Sequence, residues 1–188
     1  MLEKYFKKYA EKVAYPFIRV CIILNIKPNT LSVLGLLTVI TGSFVVYKDN
    51  TSLGLSILFV GTAIDGLDGP LARITKQNSD LGGFIDSTVD RIAEMFIWGT
   101  FCLKFTTNQF EVMLIFFILT GSFLIPYTRA KAESIGIYET VGLTPRPERV
   151  IFAIIYMAFT PSSVYLYIFT FLVWITVFQR LTILFKKI

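Results

Sequence analysis

The sequence predicts an all-α integral membrane protein, with six transmembrane helices preceded by an N-terminal amphipathic helix at the membrane interface. Of the 188 residues, 54% are hydrophobic and only 16% are charged, which is typical of a helical bundle in lipid. Uncharged runs long enough to cross a bilayer alternate with short polar segments. We therefore expect a single domain over residues 1–188, with an interfacial helix region at 1–27 and a six-helix bundle at 28–188.

The predicted interfacial helix has an apolar stripe and a charged remainder. Leu2, Tyr5, Phe6, Tyr9 and Val13 fall on one helical face, while lysines and glutamates occupy the other positions. A helix of this kind lies in the membrane interface, where its lysines meet anionic lipid headgroups. Membrane lipids are therefore expected partners of this segment.

The six spans are predicted from the uncharged runs and the breaks between them. They are expected at residues 28–47, 51–74, 80–103 and 112–128, and then as a short fifth and a longer sixth span on either side of 160–163. Asn29 or Thr30 can supply the cap of the first span. Pro70 should cause a kink or irregularity near the end of the second, because it lacks an N–H.

The charge distribution predicts the orientation. Of the 18 lysines and arginines, all except Lys48 and Lys104 fall on the side of the two termini. The positive-inside rule then places the termini and the polar end of the bundle in the cytoplasm, and we expect the cell membrane as the location. Cys21 and Cys102 are expected near opposite membrane faces, too far apart for a disulfide.

Two features of the composition exclude function classes. The chain has no histidine, which removes Ser-His and Cys-His nucleophiles and histidine-rich zinc sites. It also has no long basic tract outside the ends of the spans, so nucleic acid is not an expected partner.

Four aspartates interrupt the apolar pattern. A single charged side chain at the centre of a membrane helix costs about 2.5–3.5 kcal/mol, so such residues need partners or bound ions. Asp65 and Asp68 are three apart and Asp86 and Asp90 are four apart, so each pair shares one helical face. Carboxylate oxygens converging from two helices suit Mg²⁺ or Mn²⁺ and could hold two ions. Glu94, one turn further, is expected to have a structural role as the partner of a polar side chain.

The aspartates belong to a longer motif with fixed gaps. It reads Asp65-x-x-Asp68-Gly69-x-x-Ala72-Arg73, followed by Gly82, Asp86 and Asp90. This aspartate motif resembles the complete signature of the CDP-alcohol phosphotransferases, which are integral membrane enzymes of phospholipid synthesis. The resemblance covers most of the chain. It implies transfer of a phosphatidyl-type group from a CDP-activated lipid, CDP-diacylglycerol or CDP-archaeol, to an alcohol, with release of CMP.

The resemblance also implies roles for the motif residues. The four aspartates would ligate Mg²⁺ or Mn²⁺, as two ions, and Asp90 would also take the acceptor proton as general base. Gly69, Ala72, Arg73 and Gly82 match positions around the nucleotide, where small residues admit cytidine and an arginine suits a pyrophosphate. A homodimer is implied by the resemblance alone.

The expected acceptor is inositol 1-phosphate. Arg129 and Lys131, together with Arg146 and Arg149, could form a basic pocket for a phosphorylated alcohol. Their two short motifs resemble the inositol-phosphate branch of the family, the phosphatidylinositol-phosphate and archaetidylinositol-phosphate synthases. That branch typically has Lys-Ala-Arg where this chain has Arg129-Ala-Lys131. Glycerol 3-phosphate and serine are the alternative acceptors, although the Gly-Lys-x-Lys-Thr run associated with glycerol-phosphate users is absent.

Two hypotheses from other classes also fit a membrane bundle with internal carboxylates. One is a cation transporter that uses the aspartates as an ion site. The other is a non-catalytic lipid-binding or scaffold subunit. The complete aspartate motif argues against both. In particular, a subunit without catalysis would normally lose at least one of the four aspartates.

Overall fold

The computed structural model describes residues 14–138, 142–160 and 162–187, and every regular element within them is an α-helix. The predicted stripe at residues 2–13 lies outside the described residues. The helices in chain order are α1 (Ala14–Ile23), α2 (Pro28–Tyr47), α3 (Thr51–Asp65), α4 (Asp68–Thr75), α5 (Asp80–Phe105), α6 (Gln109–Ser134), α7 (Arg146–Phe159) and α8 (Val164–Lys187).

Four membrane-spanning segments, rather than the expected six, meet the requirements of length and apolar composition among the described residues. They are α2, α3 and α4 taken together, α6 and α8. Helix α5 has 26 residues but carries Asp86, Asp90 and Glu94 in its interior. Helix α7 has 14 residues, or about 21 Å of helix, which is less than the roughly 30 Å of a hydrocarbon core. The all-helical fold is therefore confirmed, while the number of spans is supported only in part.

Details of the helix ends differ from what the sequence predicts. Helix α2 has the expected bounds, but neither Asn29 nor Thr30 caps it; Lys27 is the capping residue, without a side-chain hydrogen bond, and Pro28 begins the first turn. Proline suits that position because the first N–H groups of a helix have no partner in the helix. Helix α6 continues six residues beyond the expected end at 128, so Arg129 and Lys131 lie on the helix.

The expected irregularity near Pro70 lies just before that residue. Helix α3 ends at Asp65 and α4 begins at Asp68, with Gly66 and Leu67 forming the connection. Pro70 lies in the first turn of α4, where its missing N–H leaves no hydrogen bond unmade. The expected break near 160–163 is also present, since α7 ends at Phe159 and α8 begins at Val164.

Helices α2 and α3 form the most extensive helix pair among those described, and glycines bring their backbones into contact. A Cβ atom added to Gly54 would lie 2.6 Å from the backbone nitrogen of Val46, and one added to Gly61 would lie 2.8 Å from that of Val39. Close backbone approach through small residues is a common way to pack membrane helices, because apolar side chains gain little over lipid. This packing fixes the end of α3, where Asp65 lies.

We expect Gly54→Ala to destabilise the protein by about 1–3 kcal/mol, because the added methyl group would meet backbone atoms that cannot move aside. The measurement is the midpoint of thermal unfolding in detergent. Gly99→Ala in α5 is the matched control, since no atom lies within 4 Å of a Cβ added there. That control should leave stability unchanged or raise it by about 0.5–1 kcal/mol. An unchanged midpoint for Gly54→Ala would contradict the close α2–α3 contact.

A small apolar cluster holds the short helix α4. Leu71 is fully buried against Leu31 of α2 and against Ile18 and Cys21 of α1. The main core is separate and surrounds Trp98 of α5. Cys21 and Cys102 are both free, as the sequence predicts. The polar face of α4 is thereby held toward the beginning of α5.

Candidate active site

Three of the four motif aspartates come together at the break between α3 and α4. Asp65 is the last residue of α3, Asp68 is the first residue of α4, and Asp86 lies on the second turn of α5. One carboxylate oxygen from each lies within 4.8 Å of the others. The interruption at Gly66 and Leu67 makes this possible. Because of it, Asp65 and Asp68 project from the adjacent ends of two helices and not from one face of a continuous helix.

The Asp68 carboxylate is held by two hydrogen bonds. Its Oδ1 accepts from the backbone N–H of Gly69 at 2.5 Å, and its Oδ2 accepts from the Ser32 hydroxyl of α2 at 2.5 Å. Asp65 is more deeply buried, with 4% of the residue exposed, and its Oδ1 has no hydrogen-bond partner. A buried carboxylate oxygen without a donor is costly unless a cation or another donor satisfies it.

These residues fit a divalent cation. Three carboxylates each direct one hard oxygen donor to the same place, one of the three carboxylates has a buried oxygen without a partner, and the group includes no sulfur or imidazole ligand. Carboxylate oxygens of this kind suit Mg²⁺ or Mn²⁺.

Asp90 is not one of the three aspartates whose oxygens converge, but it lies directly beside them. Arg146, at the start of α7, forms ion pairs through Nη1 with Asp90 and with Oδ2 of Asp65, the latter at 2.6 Å. The guanidinium therefore bridges α3 and α5 at the edge of the cluster. The expectation that Asp90 ligates the metal together with the other three aspartates stays a prediction, and in this structure its carboxylate pairs with Arg146.

A polar cavity of about 140 Å³ opens beside the aspartates, between α2, α4 and the start of α5. Three residues expected around a nucleotide line it, namely Gly69, Ala72 and Gly82, together with Asp68 and Asp86. The fourth expected residue, Arg73, is exposed at the edge: a Cβ added to Gly69 would lie 3.5 Å from Arg73 Nη1. Gly82 is closely surrounded, since an added Cβ would lie 3.1 Å from Oγ of Ser79 and 3.2 Å from Oδ1 of Asn29, and those side chains would have to shift slightly to admit it.

An apolar cavity of about 250 Å³ lies on the other side of Arg146, between α3 and α7. Its lining includes Phe59, Gly66, Val150 and Ile151. Arg146 also lines this cavity and so stands between it and the aspartates. The aspartates therefore have a polar cavity on one side and, beyond Arg146, an apolar cavity on the other.

The four basic residues expected in the acceptor pocket do not form one cluster. Arg146 is with the aspartates, and Arg149 is buried and ion-paired with Glu94, with 2.9 Å between Arg149 Nη2 and Glu94 Oε1. Arg129 pairs with Glu133 one turn further along α6. Lys131 is exposed and two residues from Arg129, and such positions point to different sides of a helix.

Arg149 and Glu94 form a fully buried ion pair with a structural function. Each side chain is only 3% exposed, and Arg149 Nη1 also donates to the carbonyl oxygen of Thr144 at 2.7 Å. This confirms the expectation that Glu94 pairs with a polar side chain. Removing one partner of a buried pair costs about 3–5 kcal/mol, because the other charge is left without compensation.

The sequence analysis missed Arg180 as a site residue. Its Nη1 donates to the carbonyl oxygen of Ile125 at 2.7 Å, which links α8 to α6. Arg180 is within electrostatic range of Arg129 of α6 and of Arg149 of α7. The available signal was an isolated arginine that interrupts an otherwise apolar last helix.

Clustered carboxylates with a polar cavity and an apolar cavity nearby, in a bundle of helices apolar enough to cross a membrane, suit an integral membrane enzyme that joins a lipid to a polar group. The chain belongs to the CDP-alcohol phosphatidyltransferase family, whose model matches residues 25–182. It is therefore a transferase, and the expected transfer of a phosphatidyl-type group from a CDP-linked donor to an alcohol is confirmed.

Similar proteins include members of the inositol-phosphate branch. The archaetidylinositol phosphate synthase of Pyrococcus horikoshii is 37% identical over 158 residues, which cover 84% of this chain and 82% of that protein. The phosphatidylinositol phosphate synthase of Streptomyces avermitilis is 32% identical over 164 residues, covering 85% and 67%. The Mycobacterium tuberculosis phosphatidylinositol phosphate synthase, solved with CDP-DAG bound, shares the fold, with a TM-score of 0.80, 24% identity and coverage of 92% and 94%.

Proposed function

We propose that this enzyme transfers the phosphatidyl-type group of a CDP-linked lipid to inositol 1-phosphate and releases CMP. The observation that carries the proposal is the cluster of Asp65, Asp68 and Asp86, with a polar cavity beside it and an apolar cavity beyond Arg146. The names of the Pyrococcus and Streptomyces relatives support the acceptor.

The CDP-linked donor would extend through the site, with one end in the polar cavity and the other in the apolar cavity. The cytidine would occupy the polar cavity, where Gly69, Ala72 and Gly82 leave room, with Arg73 near its pyrophosphate. The lipid part would leave through the apolar cavity toward the membrane. Arg146 lies between the two cavities, so we assign it to the phosphates of the donor rather than to the acceptor.

Asp65, Asp68 and Asp86 would hold Mg²⁺ or Mn²⁺. A structure of the Mycobacterium tuberculosis synthase was solved in complex with manganese and citrate, which agrees with this assignment. A bound divalent cation would neutralise the phosphate oxygens and the oxygen of the leaving CMP. A second ion would require Asp90 as well, and Arg146 would then have to release it.

The reaction needs one proton transfer and one displacement at phosphorus. The acceptor hydroxyl attacks the lipid-side phosphorus, and the bond from that phosphorus to the oxygen of CMP breaks. We assign Asp90 as the base that takes the hydroxyl proton, since it lies beside Arg146 and next to the cluster.

The acceptor phosphate would bind near Arg129, Arg149 and Arg180. Arg149 is held in place by Glu94, which also compensates its charge, so its contribution would come from those N–H groups that do not bond to Glu94 or Thr144. A dianionic phosphate gains charge-assisted hydrogen bonds from arginines placed in this way. Lys131 is assigned to the surrounding positive surface.

We also propose the finer membrane arrangement. Helices α5 and α7 complete six spans, with both termini and the active site in the cytoplasm and the enzyme in the cell membrane. The acidic residues of α5 and Arg91 lie within residues 80–94, residues 95–103 are uncharged, and Lys104 lies in the last turn. A homodimer is part of this proposal.

The test is acceptor kinetics with CMP release as the readout. Inositol 1-phosphate should be a better acceptor than free inositol, glycerol 3-phosphate or serine. Arg129→Gln should raise the KM for inositol 1-phosphate about 10- to 100-fold while leaving the KM for the donor nearly unchanged, because it removes a charged hydrogen-bond donor. Arg149 is unsuitable for this test, because truncating it would leave Glu94 buried and unpaired.

Lys48→Gln is the matched control. Lys48 is a basic residue that follows the C-terminal end of α2, away from the aspartates, and it lies over the ring of Phe44. It should leave all kinetic constants unchanged. If serine or glycerol 3-phosphate is clearly the best acceptor, the proposed acceptor is wrong, while the family assignment stands.

A further inference from the structure

Helix α2 carries none of the aspartate motif, yet it touches two of the motif's aspartates. Ser32 is buried, with 2% of its surface exposed, and its hydroxyl lies 2.5 Å from Oδ2 of Asp68. The other oxygen of Asp68 already accepts from the N–H of Gly69. The carboxylate is therefore held on both sides, and its plane is fixed by a residue 36 positions earlier in the chain.

Gly35, one turn further along α2, lies against Asp65. A Cβ added to Gly35 would lie 2.9 Å from Asp65 Cβ and 3.0 Å from its backbone nitrogen. These are atoms next to or within the backbone, so any side chain at position 35 would move Asp65 as a whole. The absence of a side chain at Gly35 sets how closely the end of α3 approaches α2.

We propose that Ser32 and Gly35 are positioning residues for the metal site: Ser32 orients the carboxylate of Asp68, and Gly35 fixes the location of Asp65. The inference rests on the proposed function, since it concerns the carboxylates assigned to a divalent cation. A carboxylate turns easily about its last torsion. A hydrogen bond that holds it in one orientation lowers the cost of arranging the ligands when the cation binds.

The experiment measures Mn²⁺ binding directly, by titrating the purified protein in detergent and following free Mn²⁺ by electron paramagnetic resonance. Ser32→Ala should weaken Mn²⁺ binding about 10- to 100-fold, which is the usual effect of losing a hydrogen bond to a metal ligand. Ser32→Thr should restore most of the affinity, because it returns the hydroxyl. Circular dichroism checks that each variant retains its helix content.

Ser43→Ala is the matched control. Ser43 is also a buried serine of α2, but its hydroxyl has no hydrogen-bond partner among the described residues. It should bind Mn²⁺ like the wild type. For Gly35→Ala, the control is Gly42→Ala, which crowds the backbone of Leu58, two turns away from the aspartates. Gly35→Ala should weaken Mn²⁺ binding more than Gly42→Ala does.

The outcomes separate the inference from the proposed function. If the wild type binds Mn²⁺ and Ser32→Ala binds it equally well, the positioning role of Ser32 is wrong, although the metal site stands. Equal weakening by Ser32→Ala and Ser43→Ala would also overturn that role, because it would indicate general loosening of α2. A wild-type protein that binds no Mn²⁺ would overturn the proposed metal site and this inference together.

Discussion

Removal of divalent cations should abolish CMP release. The clustered carboxylates of Asp65, Asp68 and Asp86 would repel the diphosphate of the donor unless a cation neutralises them. The measurement is CMP release after treatment with EDTA and removal of the chelator, followed by addition of Mg²⁺ or Mn²⁺. Activity should fall to background and return with either cation.

Binding of CDP to the purified enzyme provides a second measurement that does not depend on turnover. CDP should bind tightly only when a divalent cation is present, because its phosphates would otherwise face three carboxylates. Full activity in buffer freed of divalent cations would contradict the assignment of the aspartates as metal ligands.

Asp90→Asn should reduce kcat by about 10²- to 10⁴-fold, the range expected for loss of a general base. Asparagine has nearly the same shape but cannot take the proton of the acceptor hydroxyl. Since Asp90 lies outside the three-aspartate cluster and pairs with Arg146, Mn²⁺ affinity and the KM for the donor should change much less. The measurements are steady-state CMP release and a Mn²⁺ titration.

Asp49→Asn is the control for this substitution. Asp49 pairs with Lys104 away from the site, and its side chain is 83% exposed, so the change should not affect kcat. Near-normal turnover of Asp90→Asn would assign the base elsewhere. A loss of Mn²⁺ affinity as large as the loss of kcat would instead make Asp90 chiefly a metal ligand.

Two arginines that are close together in the sequence, Arg146 and Arg149, have different partners in the fold. Arg146 and Arg149 are three residues apart at the start of α7, and both were expected at the acceptor. In the structure, Arg146 forms ion pairs with Asp65 and Asp90, and Arg149 forms one with Glu94. Each guanidinium forms an ion pair with a nearby carboxylate, because an unpaired charge inside the bundle is costly.

The sequence by itself determined the class of fold and the chemistry of the site. Uncharged runs predicted the helices, including α2 at its observed bounds and the break between α7 and α8. These features are local, because each depends on neighbouring residues along a helix. The residues and gaps of the aspartate motif indicated the family, because they match its signature at every position, although Asp65 and Asp68 lie on two helices and not on one face.

Only the tertiary structure decided which side chains meet across helices. Ser32 with Asp68, Arg146 with Asp65 and Arg149 with Glu94 join residues separated by 36, 81 and 55 positions. Arg180 lies near Arg129 because α8 packs on α6. Helical periodicity gives the face on which a residue lies but not the rotation and depth at which that face meets its neighbour. The packing of small residues, such as Gly35 against Asp65, determines those two quantities.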